Sequence, residues 1–221
     1  MKLFKNTLGF LLAPLLVLCS YSFLDKEIAL LVKRTVLSSE GISLTIPDLL
    51  FPFVCIVTGG AWTAYFYFVR KRIFNNHRRF ALLVACSVPL ASILKSVLKI
   101  LVGRINTRVW LGDPELKEFH WFQGSGDYSG FPSGHMAVFA VLVIACWQFY
   151  PRLRSGYSLF LALLAIALIA TGYHFLSDVI AGAYLGFIVH GFITRGLRLV
   201  RTTEDDAMTL HEDRQFHFNS P

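Results

Sequence analysis

Three short stretches of this chain carry side chains suited to acting on a phosphate. The stretch from Lys99 to Arg108 supplies cations at Lys99, Arg104 and Arg108, with Lys95 one turn earlier. Residues Pro132, Ser133, Gly134 and His135 combine a helix-opening proline, a hydroxyl, a glycine and an imidazole. His174 stands four residues before Asp178. Guanidinium forks and lysine ammonium groups stabilise charge on phosphoryl oxygens. A Pro-Ser-Gly opening presents backbone N–H groups and a hydroxyl to an anion, aided by the helix dipole. One imidazole can attack phosphorus in line with the leaving oxygen. A second can protonate that oxygen. Residues four apart share a helix face, so Asp178 is expected to hydrogen-bond His174, fix its tautomer and leave the other ring nitrogen to attack.

The elements that must position these groups are apolar. Of 221 residues, 55% are hydrophobic and 16% charged, and mean hydropathy is +0.56. Soluble domains sit near about 45–50% apolar and about 25% charged. That balance disfavours a disordered chain, a solvated domain and a coiled coil. The apolar residues gather into six runs. They cover Asn6 to Leu24, Leu49 to Val69, Phe80 to Leu94 reaching on to Gly103, about Ser133 to Tyr150, Tyr157 to about Thr171, and from near Tyr173 to just before Arg195. Most have about the length a bilayer core requires. The expected fold is an all-α polytopic membrane protein, a bundle of six transmembrane helices. It forms a single unit over residues 1–201 with its active core at about 80–195. Residues 202–221 form a polar, cytoplasmic tail expected to be disordered.

Several smaller readings follow. The first run has the basic start of a signal peptide, but Leu18 precedes Cys19 and no small-residue cleavage site follows, so a retained helix is expected. Residues 25–47 are mixed, and a short amphipathic helix along the interface is expected around Ile28 to Val32. The four cysteines lie in apolar runs without metal-type spacing and read as small hydrophobes. Gly182 and Gly186 read as internal helix packing rather than a dimer face. The aromatic loop from Trp110 to Phe131 reads as an interfacial belt, or more sharply as a lid over a lipid.

The net charge is +7. With a cytoplasmic N-terminus and six crossings, most lysines and arginines fall on inside segments, as the positive-inside tendency requires. This charge marks topology, not a nucleic-acid partner. The same assignment brings Lys99–Arg108, Ser133–His135 and His174–Asp178 to one outer membrane face. Ionisable groups at membrane depth are costly, and by default they indicate function.

On these residues the chain resembles the type-2 phosphatidic acid phosphatase superfamily. That family's pattern is Lys, six residues, Arg-Pro; then Pro-Ser-Gly-His; then Ser-Arg, five residues, His, three residues, Asp. Pro132 to His135 match the middle block in full. His174 and Asp178 match the end of the third, and Lys99 matches the start of the first. The resemblance spans about residues 80–195. It implies that His174 is the nucleophile forming a phosphohistidine, that Asp178 orients it, and that His135 is the general acid. Lys99, Ser133 and Gly134 would hold the phosphate, with no cofactor and no metal. Two departures stand out. Ala167 and Leu168 occupy the places of the family's Ser-Arg, and Asn106 and Thr107 those of Arg-Pro. Arg104 and Arg108 flank the second gap and are expected to supply the missing charge.

The activity expected is hydrolysis of a phosphate monoester or pyrophosphate on a lipid headgroup, at the outer face of a bacterial inner membrane. Candidate substrates are polyprenyl pyrophosphate, phosphatidylglycerol phosphate, phosphatidic acid and lipid A phosphate. A phosphotransferase working through the same intermediate is the near alternative. A transporter or non-catalytic binding protein is the distant one: it would account for intramembrane lysines, but not for Pro-Ser-Gly-His beside His-x-x-x-Asp.

Overall fold

The computed structural model describes residues 7–36 and 49–218, with side chains over 12–36 and 49–197. Among these residues every regular element is helical, apart from an isolated bridge between Arg104 and Phe119. The order is α1 (Thr7–Cys19), a π-helical turn (Ser20–Leu24), α2 (Asp25–Thr35), α3 (Leu50–Arg70), α4 (Asn76–Val102), α5 (Thr107–Gly112), α6 (Gly134–Phe149), α7 (Arg154–Ala170) and α8 (Leu176–Phe218). A short 3₁₀ turn, Pro151–Leu153, leads into α7.

Among the described residues, four helical segments are long and apolar enough to cross a bilayer: Leu50–Arg70, Asn76–Val102, Pro151–Ala170 and Leu176–Leu197. The first and fourth apolar runs give shorter helices, so length and composition support four crossings where six were expected. α6 has 16 residues, about 24 Å against a hydrocarbon core of about 30 Å. Its apolar run is longer than its helix because Ser133 serves as the cap and Tyr150 begins the next turn. The first run also continues beyond its expected end. α1, the π turn and α2 follow one another without a break from Thr7 to Thr35. Of the interfacial segment expected at 25–47, the first part is thus α2, while residues 37–48 lie outside the described residues. α8 stays helical to Phe218, through most of the polar tail for which disorder was expected. The Glu, Arg, Ala, Met and Leu residues there are adequate helix formers.

α6 lies at the centre. Leu50 and Val54 of α3, Leu83, Val84 and Val88 of α4, Val138 and Val141 of α6 and Val189 of α8 form one buried cluster. Lipid is as apolar as leucine, so close approach rather than burial must hold such helices together. Gly182 and Gly186 provide it. A Cβ on Gly182 would sit 2.5 Å from the Ser133 carbonyl oxygen, and one on Gly186 2.6 Å from that of Ala137. This is the internal packing role expected of the pair. The outward faces of α3 and α7 are apolar and open, with Phe51, Ile56, Leu159, Leu163 and Ile166 all exposed, a surface suited to lipid.

Contacts at the two ends fix the helix directions. At one end the α4 start meets the α6 end, where His77 Nδ1 lies 2.7 Å from the Tyr150 hydroxyl. Nearby, His190 of α8 hydrogen-bonds Gln148 at 3.0 Å. The opposite end holds the end of α4, the start of α6 and the start of α8, which carry the three chemical stretches. Gly103 closes α4 in the left-handed region, at φ +52°. A side chain there would also meet the His120 carbonyl at 1.8 Å, so only glycine suits this position. From Gly103 the loop folds back on itself through His120 N–H to the Gly103 carbonyl, Ile105 N–H to Glu118, and Gly130 N–H to Arg104.

Candidate active site

The Pro-Ser-Gly-His block opens α6. Ser133 is the N-cap; its side-chain oxygen accepts the Met136 amide at 3.4 Å, satisfying one of the donors a helix start leaves orphaned. Gly134 is closely approached by side chains: a Cβ would lie 3.0 Å from Leu50 Cδ2 and from Lys95 Cδ, and 3.3 Å from Lys95 Nζ. Lys95 therefore lies along the first turn of α6, one α4 turn below Lys99. His135 follows on the same turn and is half-buried. A backbone bond joins this block to the third stretch, from Ser133 N–H to the Asp178 carbonyl at 3.0 Å.

His174 and Asp178 stand at the junction of α7 and α8, both buried. The sequence spacing suggested one helical face, but α8 begins only at Leu176, so His174 sits in the preceding turn. Its Nδ1 is 3.9 Å from Asp178 Oδ2, beyond a hydrogen bond. The expected direct bond is not made because Asp178 is occupied otherwise. Its Oδ2 accepts the Phe175 amide at 3.0 Å, capping the start of α8, and its Oδ1 accepts Arg104 Nη1 at 2.6 Å.

Arg104 differs most from expectation. It was expected to face a phosphate, but its side chain is 3% exposed and bound between carboxylates. Nη1 donates to Asp178 Oδ1 and Ser177 Oγ, each at 2.6 Å, and Nη2 donates to Asp25 Oδ2 at 2.7 Å. Phe175 covers the guanidinium at 4.4 Å, a cation–π contact. Burial alone would make this guanidinium easier to deprotonate. Asp178 and Asp25 outweigh burial and raise its pKa further above the ordinary arginine value. At the rim of the network, Lys26 pairs with Glu118, and the Tyr21 hydroxyl donates to it. Burial would raise the Glu118 carboxyl pKa, but Lys26 and Tyr21 hold it below its usual value.

Arg108 takes a different position. Its Nε and Nη2 donate to the Thr171 carbonyl at 3.0 and 2.9 Å, and its guanidinium lies 4.3 Å from the Tyr173 ring. It thus stands on the turn that carries His174. The two family arginine positions bear no cation. Leu168 is buried against Met136 and Val179. Asn106 binds the Gly126 carbonyl, and Thr107 is buried.

Asp25 and Ser177 belong to this cluster and were not singled out from the sequence. The signal for Asp25 was present: an acid directly after a long apolar run is an ionisable group at membrane depth. Its partners lie 79 and 152 residues away, so no local pattern reveals them.

A model of the PAP2 superfamily matches residues 80–200. Comparison with curated proteins returns no match. Among solved structures, the crystal structure of the first transmembrane PAP2 type phosphatidylglycerolphosphate phosphatase from Bacillus subtilis is similar at 17% identity and a TM-score of 0.46, covering 86% of this chain and 94% of that one. The family match covers more than half of the chain and takes in His135, His174 and Asp178: the chain belongs to the PAP2 superfamily.

Proposed function

We propose that the protein is an integral membrane phosphatase that removes a phosphate from a lipid phosphate monoester or pyrophosphate through a phosphohistidine. The observation that carries this reading is the junction of two chemical blocks. The Ser133 amide binds the Asp178 carbonyl at 3.0 Å, which sets the half-buried His135 and the buried His174 at one end of the bundle.

In the proposed reaction, His174 Nε2 attacks phosphorus from the side opposite the leaving oxygen. An N–P bond forms as the P–O bond breaks, and the electron pair leaves with the oxygen. His135 gives that oxygen a proton. Water then attacks phosphorus as His135 takes one of its protons; a P–O bond forms as the N–P bond breaks, the electron pair returns to His174 Nε2, and phosphate is released. Asp178 balances the charge gained by the His174 ring, and its 3.9 Å gap closes to a hydrogen bond with a movement of about 1 Å. Arg108, Lys99 and Lys95, with the amides at the start of α6, neutralise the phosphoryl oxygens. Arg104 holds Asp178.

The proposed topology has six crossings, with α6 and the continuous path from α1 to α2 as the two beyond the four long segments. Both termini are cytoplasmic, and the site faces outward in a bacterial inner membrane. This is supported by Arg70, Arg78, Arg79, Arg152 and Arg154, which lie at or near the helix ends opposite the site, as cytoplasmic ends require. The lipid tail lies along the open apolar faces, with its headgroup at the polar site. The test is phosphate release by purified protein from phosphatidic acid, phosphatidylglycerol phosphate, a polyprenyl pyrophosphate and lipid A. Vanadate-sensitive release from at least one is expected. Transport of a phosphorylated solute without release would favour the permease reading.

A further inference from the structure

We propose that Asp25, on the N-terminal helical path, is a positioning residue for the His174–Asp178 pair and acts through Arg104 and Ser177; this rests on the phosphatase reading above. Asp25 is 2% exposed. Its Oδ1 accepts the Ser177 amide at 2.9 Å, and its Oδ2 accepts Arg104 Nη2 and the Ser177 hydroxyl. The Ser177 amide lies in the first turn of α8, where N–H groups lack partners within the helix. Asp25 thus caps α8 from a separate helix and places its charge where the helix dipole favours an anion.

The same carboxylate orients Arg104. With Nη2 held by Asp25, the guanidinium fork can turn only slightly, and Nη1 is aimed at Asp178 Oδ1. That contact and the Phe175 amide on Oδ2 set the plane of the Asp178 carboxylate, so the face of Oδ2 toward His174 Nδ1 is fixed from both sides. Asp25 also shares the Arg104 charge. Paired with Asp178 alone, the guanidinium would neutralise the carboxylate that must balance a cationic His174. Paired with two carboxylates, it leaves the cluster with one net negative charge beside the imidazole.

The local fold supports this assignment independently. The Asp25 amide donates to the Ser20 carbonyl and closes a π turn, and such turns recur at functional sites. One extra residue rotates the following helix face by about 100°. The inward face of α2 carries Asp25, Ala29 and Val32, all buried. The π turn therefore delivers Asp25 to the site.

The test uses full-length protein in detergent micelles. Phosphate release from phosphatidic acid, phosphatidylglycerol phosphate and a polyprenyl pyrophosphate is measured for wild type, Asp25→Asn, Asp25→Glu, Arg104→Gln and the double variant Asp25→Asn with Arg104→Gln, alongside thermal unfolding. We expect Asp25→Asn to lose about tenfold or more in kcat with KM within about twofold, as when a supporting partner of a reacting group is lost. Asp25→Glu is expected to recover most of the rate. The double variant leaves no unpaired cation and is compared with Arg104→Gln alone; because Asp25 acts through Arg104, the two are expected to have equally low kcat at a near-normal KM. A folded Asp25→Asn or double variant with wild-type kcat, or a loss confined to KM, overturns the inference alone. A wild type that releases phosphate from none of the three probes overturns the phosphatase reading and the inference with it.

Discussion

Arg104 Nη1 lies 2.6 Å from Asp178 Oδ1, with the two side chains 3% and 0% exposed. A cation this enclosed is a structural partner first. Breaking a buried pair by removing one member costs about 3–5 kcal/mol, because the other charge is left unpaired. Arg104→Gln is therefore expected to lower unfolding stability by about that amount and to lower turnover. Chemical or thermal unfolding measures the first; an unchanged melting temperature would show that Arg104 is not held as described.

Arg108 is the arginine we propose as the replacement for the family's missing cations, because it binds the turn that carries His174. Arg108→Ala is expected to reduce kcat/KM by about 100-fold, the scale of losing one donor to a transition-state oxyanion. Arg108→Lys is expected to restore only part of it, since a point charge lacks the planar fork. Wild-type kinetics in Arg108→Ala would remove it from the site.

Gly134 and Gly186 are expected to respond differently to the same substitution. A methyl group on Gly186 meets the Ala137 backbone oxygen at 2.6 Å, which cannot move aside, so Gly186→Ala should cost about 1–3 kcal/mol of stability. A methyl group on Gly134 meets mainly the flexible Lys95 and Leu50 side chains at 3.0 Å. Gly134→Ala should leave stability nearly intact and lower phosphate release by displacing Lys95. Equal melting temperatures for the two variants would contradict this packing.

The mechanism needs His174 without its proton and His135 with one. Activity should fall on the acid side, where His174 loses its attacking lone pair, and on the alkaline side, where His135 can no longer donate. The kcat/KM profile should be a bell. A rate constant flat from about pH 4 to about pH 9 would contradict these two roles.

Much of the site was legible because its chemistry is local in sequence. Pro132 to His135 announce a capped helix start, and Ser133 caps α6. The Gly182 and Gly186 spacing announces close helix packing, and both glycines press on α6. The illegible parts depend on distant partners or on where a helix begins. Arg104 reads as a phosphate ligand until Asp25 and Asp178 are seen on either side of it. His174 and Asp178 read as neighbours on one helix until α8 is found to start between them. The length of α6 was not legible from its apolar run, because such a run records composition while the Ser133 cap and the turn at Tyr150 decide where the helix starts and ends.

The central claim is that His174 carries the phosphate. Purified protein mixed with a lipid phosphate labelled in the phosphoryl group and quenched within milliseconds should yield an acid-labile, base-stable phosphoenzyme, absent from His174→Ala. A phosphoenzyme of the same amount in His174→Ala, or full phosphate release by that variant, would contradict the account.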